Sequence, residues 1–163
     1  MDIRKIYEYA LQRELEGKRF FEENAERLQH AAAKGAFKVL AQEEQKHIFF
    51  IEKQLASLNE GQSVVVMEES LQPSSSFFAQ RAESEQVDQS VAQAMVADLP
   101  VLRMAYLIER DFAEFYEMAA SKAEGSAKQV LQSLAEWERT HEALFKNMHD
   151  TIFEQYAQMP WGG

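Results

Sequence analysis

Six residues of this chain have the types and the spacing to hold metal ions: Glu14, Glu44, His47, Glu109, Glu138 and His141. Glu44 precedes His47 by three positions, and Glu138 precedes His141 by three, so each pair shares a helix face. Carboxylate and imidazole together suit iron or manganese, with zinc as a further candidate. A lone Glu-x-x-His says little, because a chain of this composition yields about 0.5 of them by chance. The weight lies in the conjunction: two such pairs, each on an otherwise apolar stripe, and one further glutamate on each of two other stripes.

The stripes belong to four segments of helical periodicity. The first runs from about Asp2, a candidate N-cap, to His30, with an inner face of Ile3, Tyr7, Ala10, Glu14, Gly17, Phe21, Asn24 and Leu28. The second runs from about Lys34 to Asn59, with Gly61 as a stop signal and Phe37, Leu40, Glu44, His47, Ile51, Leu55 and Leu58 inside. A third begins near Asp98, a further candidate cap with Pro100 in the first turn, and runs to about Ala123 through Leu102, Ala105, Glu109, Phe112, Tyr116 and Ala119. The fourth follows the break at Glu124-Gly125-Ser126, where Ser126 and Gln129 have capping-box spacing; its face is Leu131, Leu134, Glu138, His141, Phe145, Met148 and Ile152.

These segments repeat. Shifted by 95, Ala10, Glu14, Phe20, Glu22 and Ala25 fall on Ala105, Glu109, Phe115, Glu117 and Ala120; shifted by 94, Leu40, Ala41, Glu44 and His47 fall on Leu134, Ala135, Glu138 and His141. Two helical hairpins of one pattern, about 2–60 and about 98–157, joined by a crossover of about 61–97, predict a single all-α domain over 1–163, an up-down-down-up four-helix bundle. The crossover holds Gln72-Pro73-Ser74-Ser75-Ser76, the pair Phe77-Phe78 that would pin it to the bundle or a partner, and a short helical pattern from Val87 to Ala97.

Antiparallel packing brings Glu14, Glu44, Glu109 and Glu138 to one level, far from the ends of the bundle. Four bare carboxylates there are costly, by burial and by mutual repulsion. No Lys or Arg lies on the four stripes. Two divalent cations would balance the four charges, with His47 and His141 as neutral imidazoles completing the ligand sets.

Composition narrows the chemistry further. There is no cysteine, which removes disulfides, thiol catalysis, iron–sulfur clusters and thiolate zinc sites. The net charge of −10 repels phosphate backbones and disfavours nucleic acid as a partner. With no membrane-length apolar run and no leader-like opening, the expectation is a soluble, cytoplasmic protein. His30 and His149 lack a Glu three residues before them; His30 reads as a solvated helix end. The eleven Phe read as core, the methionines do not mark a haem site, and Met159 to Gly163 reads as a frayed tail. Tyr116 has two readings: core packing with a satisfied hydroxyl, or a donor to a ligand carboxylate or electron relay.

The pattern resembles the ferritin-like di-iron carboxylate proteins, and within them the rubrerythrin branch, in particular its small members without a rubredoxin domain. The residues that carry the resemblance are Glu14-Leu15-Glu16-Gly17-Lys18-Arg19-Phe20-Phe21, Leu40-Ala41-Gln42-Glu43-Glu44-Gln45-Lys46-His47, Glu109 through Phe115-Tyr116, and Leu134-Ala135-Glu136-Trp137-Glu138-Arg139-Thr140-His141. Both hairpins are covered. The resemblance implies two iron ions, with manganese or zinc as alternatives and no haem or flavin. It makes Glu14 and Glu109 terminal ligands, Glu44 and Glu138 bridges, and His47 and His141 caps on one metal each. The four glutamates would then be catalytic through the metal centre, passing electrons to peroxide or dioxygen.

It also implies an external electron donor, rubredoxin-like or a flavoprotein, and a homodimer. Two departures stand out. Phe112 occupies the place of a further glutamate that full rubrerythrins carry, and their four-cysteine electron-transfer module has no counterpart here. The 30 residues from Glu14 to Glu44 and the 29 from Glu109 to Glu138 make shorter hairpins than those of bacterioferritins, so no storage shell is implied. A non-enzymatic iron carrier, or a structural bundle with a vestigial site, are the competing readings.

Overall fold

The computed structural model of the chain describes residues 2–61 and 96–159. Within them lie four α-helices: α1 (Ile3–Ala25), α2 (Ala31–Asn59), α3 (Leu99–Lys122) and α4 (Gly125–Ala157). One turn of 3-10 helix, Val96–Asp98, leads into α3. Phe77-Phe78, the expected short helix apart from Val96 and Ala97, and the tail from Pro160 lie outside the described residues. No described helix is long and apolar enough to cross a membrane.

Local chemistry explains most of the boundaries. Asp2 caps α1 by accepting from the Lys5 N–H. Gly61 at φ 67° and Gly125 at φ 59° take the left-handed backbone that ends α2 and opens α4. Four expectations need correction: the boundary between the first two helices, the cap at Asp98, the setting of His30 and the cap at Ser126. The first helix stops at Ala25 rather than near His30, and α2 starts at Ala31 rather than Lys34. The intervening loop is held from afar: the Asp98 carboxylate accepts from the backbone N–H of Gln29 at 2.9 Å and of His30 at 2.8 Å. Asp98 therefore does not cap its own helix. His30 is a half-buried cap rather than a solvated end, its Nδ1 accepting from the Ala33 N–H at 3.2 Å. The Ser126–Gln129 capping box does not form its cap either, since α4 already begins at Gly125 with no side-chain cap.

The core is two apolar clusters with a polar layer between them. In one, Tyr7 and Ala10 of α1 meet Phe50 and Ile51 of α2, Phe112 through Ala120 of α3, and Val130 through Ala135 of α4. In the other, Phe21 and Ala25 meet Ala33 through Ala41, Leu102 and Ala105, and Phe145 and Ile152. The start of α1 thus lies with the ends of α2 and α3 and the start of α4, which is up-down-down-up. Phe21, Phe37 and Phe145 pack ring on ring at 5.1–5.5 Å between centroids. Each such ring stabilises the fold by about 1.5–3 kcal/mol through burial alone.

Candidate metal centre

Between the two clusters, every helix turns a glutamate inward. Glu14, Glu44, Glu109 and Glu138 are each 0% exposed, and His47 and His141 join them at 1% and 4%. Helical spacing places them: Glu14 sits on the stripe that carries Ala10 and Phe21, and each histidine lies one turn beyond its glutamate. His47 Nδ1 is 3.2 Å from Glu14 Oε2, 3.0 Å from Glu138 Oε1 and 3.7 Å from Glu44 Oε2. His141 Nδ1 is 3.4 Å from Glu138 Oε2, 3.5 Å from Glu109 Oε2 and 3.7 Å from Glu44 Oε1. The two imidazoles stack with centroids 5.6 Å apart.

Two sets of potential ligands result. Glu14, Glu44, His47 and Glu138 bring one ligand atom each within 4.8 Å of one another, and so do Glu44, Glu109, Glu138 and His141. Glu44 and Glu138 belong to both. All six residues singled out from the sequence are therefore brought together, while His149 stands apart, bonded to Asp150 and packed on Tyr106 and Phe153. His30 is spent on its cap.

The electrostatics of the layer favour positive charge. Burial, then Glu138 and Glu14, push Glu44 well above the usual carboxylate range; burial, then Glu138, do the same to Glu109. Burial also disfavours the charged form of Glu138, but His47 together with Glu109 and His141 outweighs this and holds it below the ordinary value. Burial would make His47 less basic, yet the adjacent Glu138 and Glu14 raise it well above the usual imidazole value. No lysine or arginine is buried among the described residues. Among the described residues, seven buried side-chain atoms have no hydrogen-bond partner: both oxygens of Glu44, Glu109 and Glu138, and His141 Nδ1. So many orphaned acceptors in one core layer fit the binding of metal.

Of the two readings of Tyr116, the donor geometry is present: its hydroxyl donates to Glu14 Oε1. Burial and then Glu14 hold that hydroxyl well above its usual value, so it stays protonated. Two features escaped sequence reasoning. Trp137 stacks on His47 at 5.1 Å and 16°, backed by an edge contact with Phe50 at 5.5 Å. Gly17 leaves room for Phe112, whose ring carbon lies 3.0 Å from where a Cβ would stand. Arg13 covers the same ring at 4.9 Å. Neither pairing has a local signal, since each joins side chains of different helices.

Comparison with known proteins agrees with this architecture. The rubrerythrin family's sequence pattern matches residues 5–149. Comparison with curated proteins returns no match. Among solved structures, a hypothetical protein from Pyrococcus furiosus shares the fold, with a TM-score of 0.67 at 22% identity over 95% of this chain and 92% of that one. A bundle with a Glu/His layer at its middle and a family match over nearly its whole length place the chain in the rubrerythrin family.

Proposed function

We propose that this chain holds two iron ions in its carboxylate layer and is an oxidoreductase that passes electrons to hydrogen peroxide or dioxygen. The observation that carries the reading is the pair of buried ligand sets sharing Glu44 and Glu138. Glu44 and Glu138 would bridge the cations, Glu14 and Glu109 would each serve one, and His47 and His141 would complete the sets. A ferrous pair held by these six residues would supply the two electrons needed to take one peroxide, with two protons, to two waters.

The chain's own residues do the rest. Protons held by Glu44, Glu109 and His47 in the metal-free fold leave as cations enter. Tyr116 fixes one oxygen of Glu14 and leaves the other to a metal. Phe112 closes the layer where Gly17 thins α1, which keeps water out. Complete burial of the four glutamates favours a retained cofactor over a cargo to be released. Manganese or zinc would satisfy the same donors. The electron source is a separate reductant, a rubredoxin-like protein or a flavoprotein, and the working assembly is a homodimer.

Stopped-flow absorbance of the anaerobic ferrous protein tests this. Stoichiometric peroxide should oxidise both irons once, with no further consumption until a reductant is added. Two irons held but oxidised by neither peroxide nor dioxygen would make the chain an iron-binding bundle instead.

A further inference from the structure

The sequence repeat makes the two halves of the metal layer equivalent, but the side chains around them are not. On α3, Tyr116 donates its hydroxyl to Glu14. Its counterpart on α1, ninety-five positions earlier, is Phe21, which has no proton to donate. Glu109, the counterpart of Glu14, accordingly has no donor aimed at either oxygen.

The histidines differ in the same sense. His47 lies against Trp137, and its Nδ1 reaches Glu138 at 3.0 Å and Glu14 at 3.2 Å. The repeat counterpart of Trp137 is Glu43, whose carboxylate is turned to Lys46 at 2.9 Å. His141 Nδ1 has no hydrogen bond, its nearest carboxylate oxygen standing at 3.4 Å. One half of the layer is thus preset, with a carboxylate held by a hydroxyl and an imidazole held by an indole. The other half has neither support.

Resting on the two-cation reading above, we propose that the positions fill in order: the Glu14–His47 position takes the first cation tightly, and the Glu109–His141 position takes the second weakly and exchanges it. A ligand already fixed by a neighbour loses less freedom on binding, and deleting such a neighbour typically costs about 10–100-fold in metal affinity. Charge alone also weakens the second step, because the first cation cancels half of the carboxylate charge. Charge alone, however, would fill the two positions equally at the first equivalent. The order is a property of Tyr116 and Trp137.

Calorimetric titration of the full chain with cobalt(II), without oxygen, decides the matter. The wild type should bind two cobalt ions in a tight and a weak step. His141→Ala should keep the tight step and lose the weak one, and His47→Ala should do the reverse. Tyr116→Phe, which removes one oxygen atom and leaves the ring in the core, should loosen the tight step by about 10–100-fold and leave the weak one in place. A tight step that survives His47→Ala, or that is unmoved in Tyr116→Phe, overturns the ordered filling and leaves the two-cation site standing. Failure of the wild type to bind cobalt overturns both.

Discussion

The aromatic layer of Phe21, Phe37 and Phe145 and the carboxylate layer of Glu14, Glu44, Glu109 and Glu138 are equally shut off from water. They are stabilised in opposite ways. The aromatic layer is complete within the chain: three rings meet edge to face or stacked, and each buried surface finds an apolar partner. The carboxylate layer is incomplete within the chain, with like charges together, orphaned acceptors, and one histidine drawn between two carboxylates. The fold rests on its two apolar clusters, and the middle layer is a standing cost that bound cations would lower. Conflict between a buried position and the residue placed there is where function is to be sought.

The largest way to break the contrast is in the aromatic layer. Phe145→Ala should cost about 3–5 kcal/mol, measured by denaturant unfolding, and the loss should be the same with and without metal. A loss that disappears on adding metal would show that the two layers are one unit.

The carboxylate layer should behave the other way. Zinc at about 1,000 times its dissociation constant should stabilise the wild type by about 4 kcal/mol. The doubly substituted His47→Ala, His141→Ala chain should show no such gain in a thermal melt.

The pH dependence sharpens the same point. Glu44 and Glu109 have folded values above their unfolded ones, so the metal-free fold keeps protons that the unfolded chain has lost. Its stability is full below the ordinary carboxylate value of about 4.3 and falls as pH rises through the raised values. His47 acts in the same direction, its contribution present below about 6.5 and lost as pH rises through its own raised value. Glu138 opposes them only at the acid end, where its depressed value lies. The melting temperature of metal-free protein should therefore fall between about pH 5 and pH 8, and zinc should flatten or reverse that fall.

The smallest effect belongs to the surface. Arg139 bonds Glu117 through two nitrogens and Glu142 through one, yet these groups are partly in water. Arg139→Ala should cost about 0.2–1 kcal/mol and leave zinc uptake unchanged.

How much of this could be read from residues alone follows a physical line. Glu14, Glu44, His47, Glu109, Glu138 and His141 were visible because helical periodicity is local and the repeat states it twice. The end of α1 was misplaced because the loop after it is fixed by Asp98, far along the chain, and no local rule contains that bond. Asp98 and Ser126 have cap-forming types at cap-like positions, but one carboxylate is engaged elsewhere and the other residue lies inside the helix. Tyr116 kept two readings until α1 was seen beside α3, because its hydroxyl reaches across helices to Glu14. Trp137 gave no signal at all, since its partner His47 is on α2.

If one buried layer binds two cations through six residues, a zinc-loaded crystal measured at the metal's absorption edge will show both. Two anomalous peaks per chain are expected, both within reach of Glu44 and Glu138, with His47 and Glu14 on one and His141 and Glu109 on the other, at about 2.0–2.2 Å. Zinc found only on the acidic surface, or Glu14 or Glu109 turned out to solvent, would contradict the account.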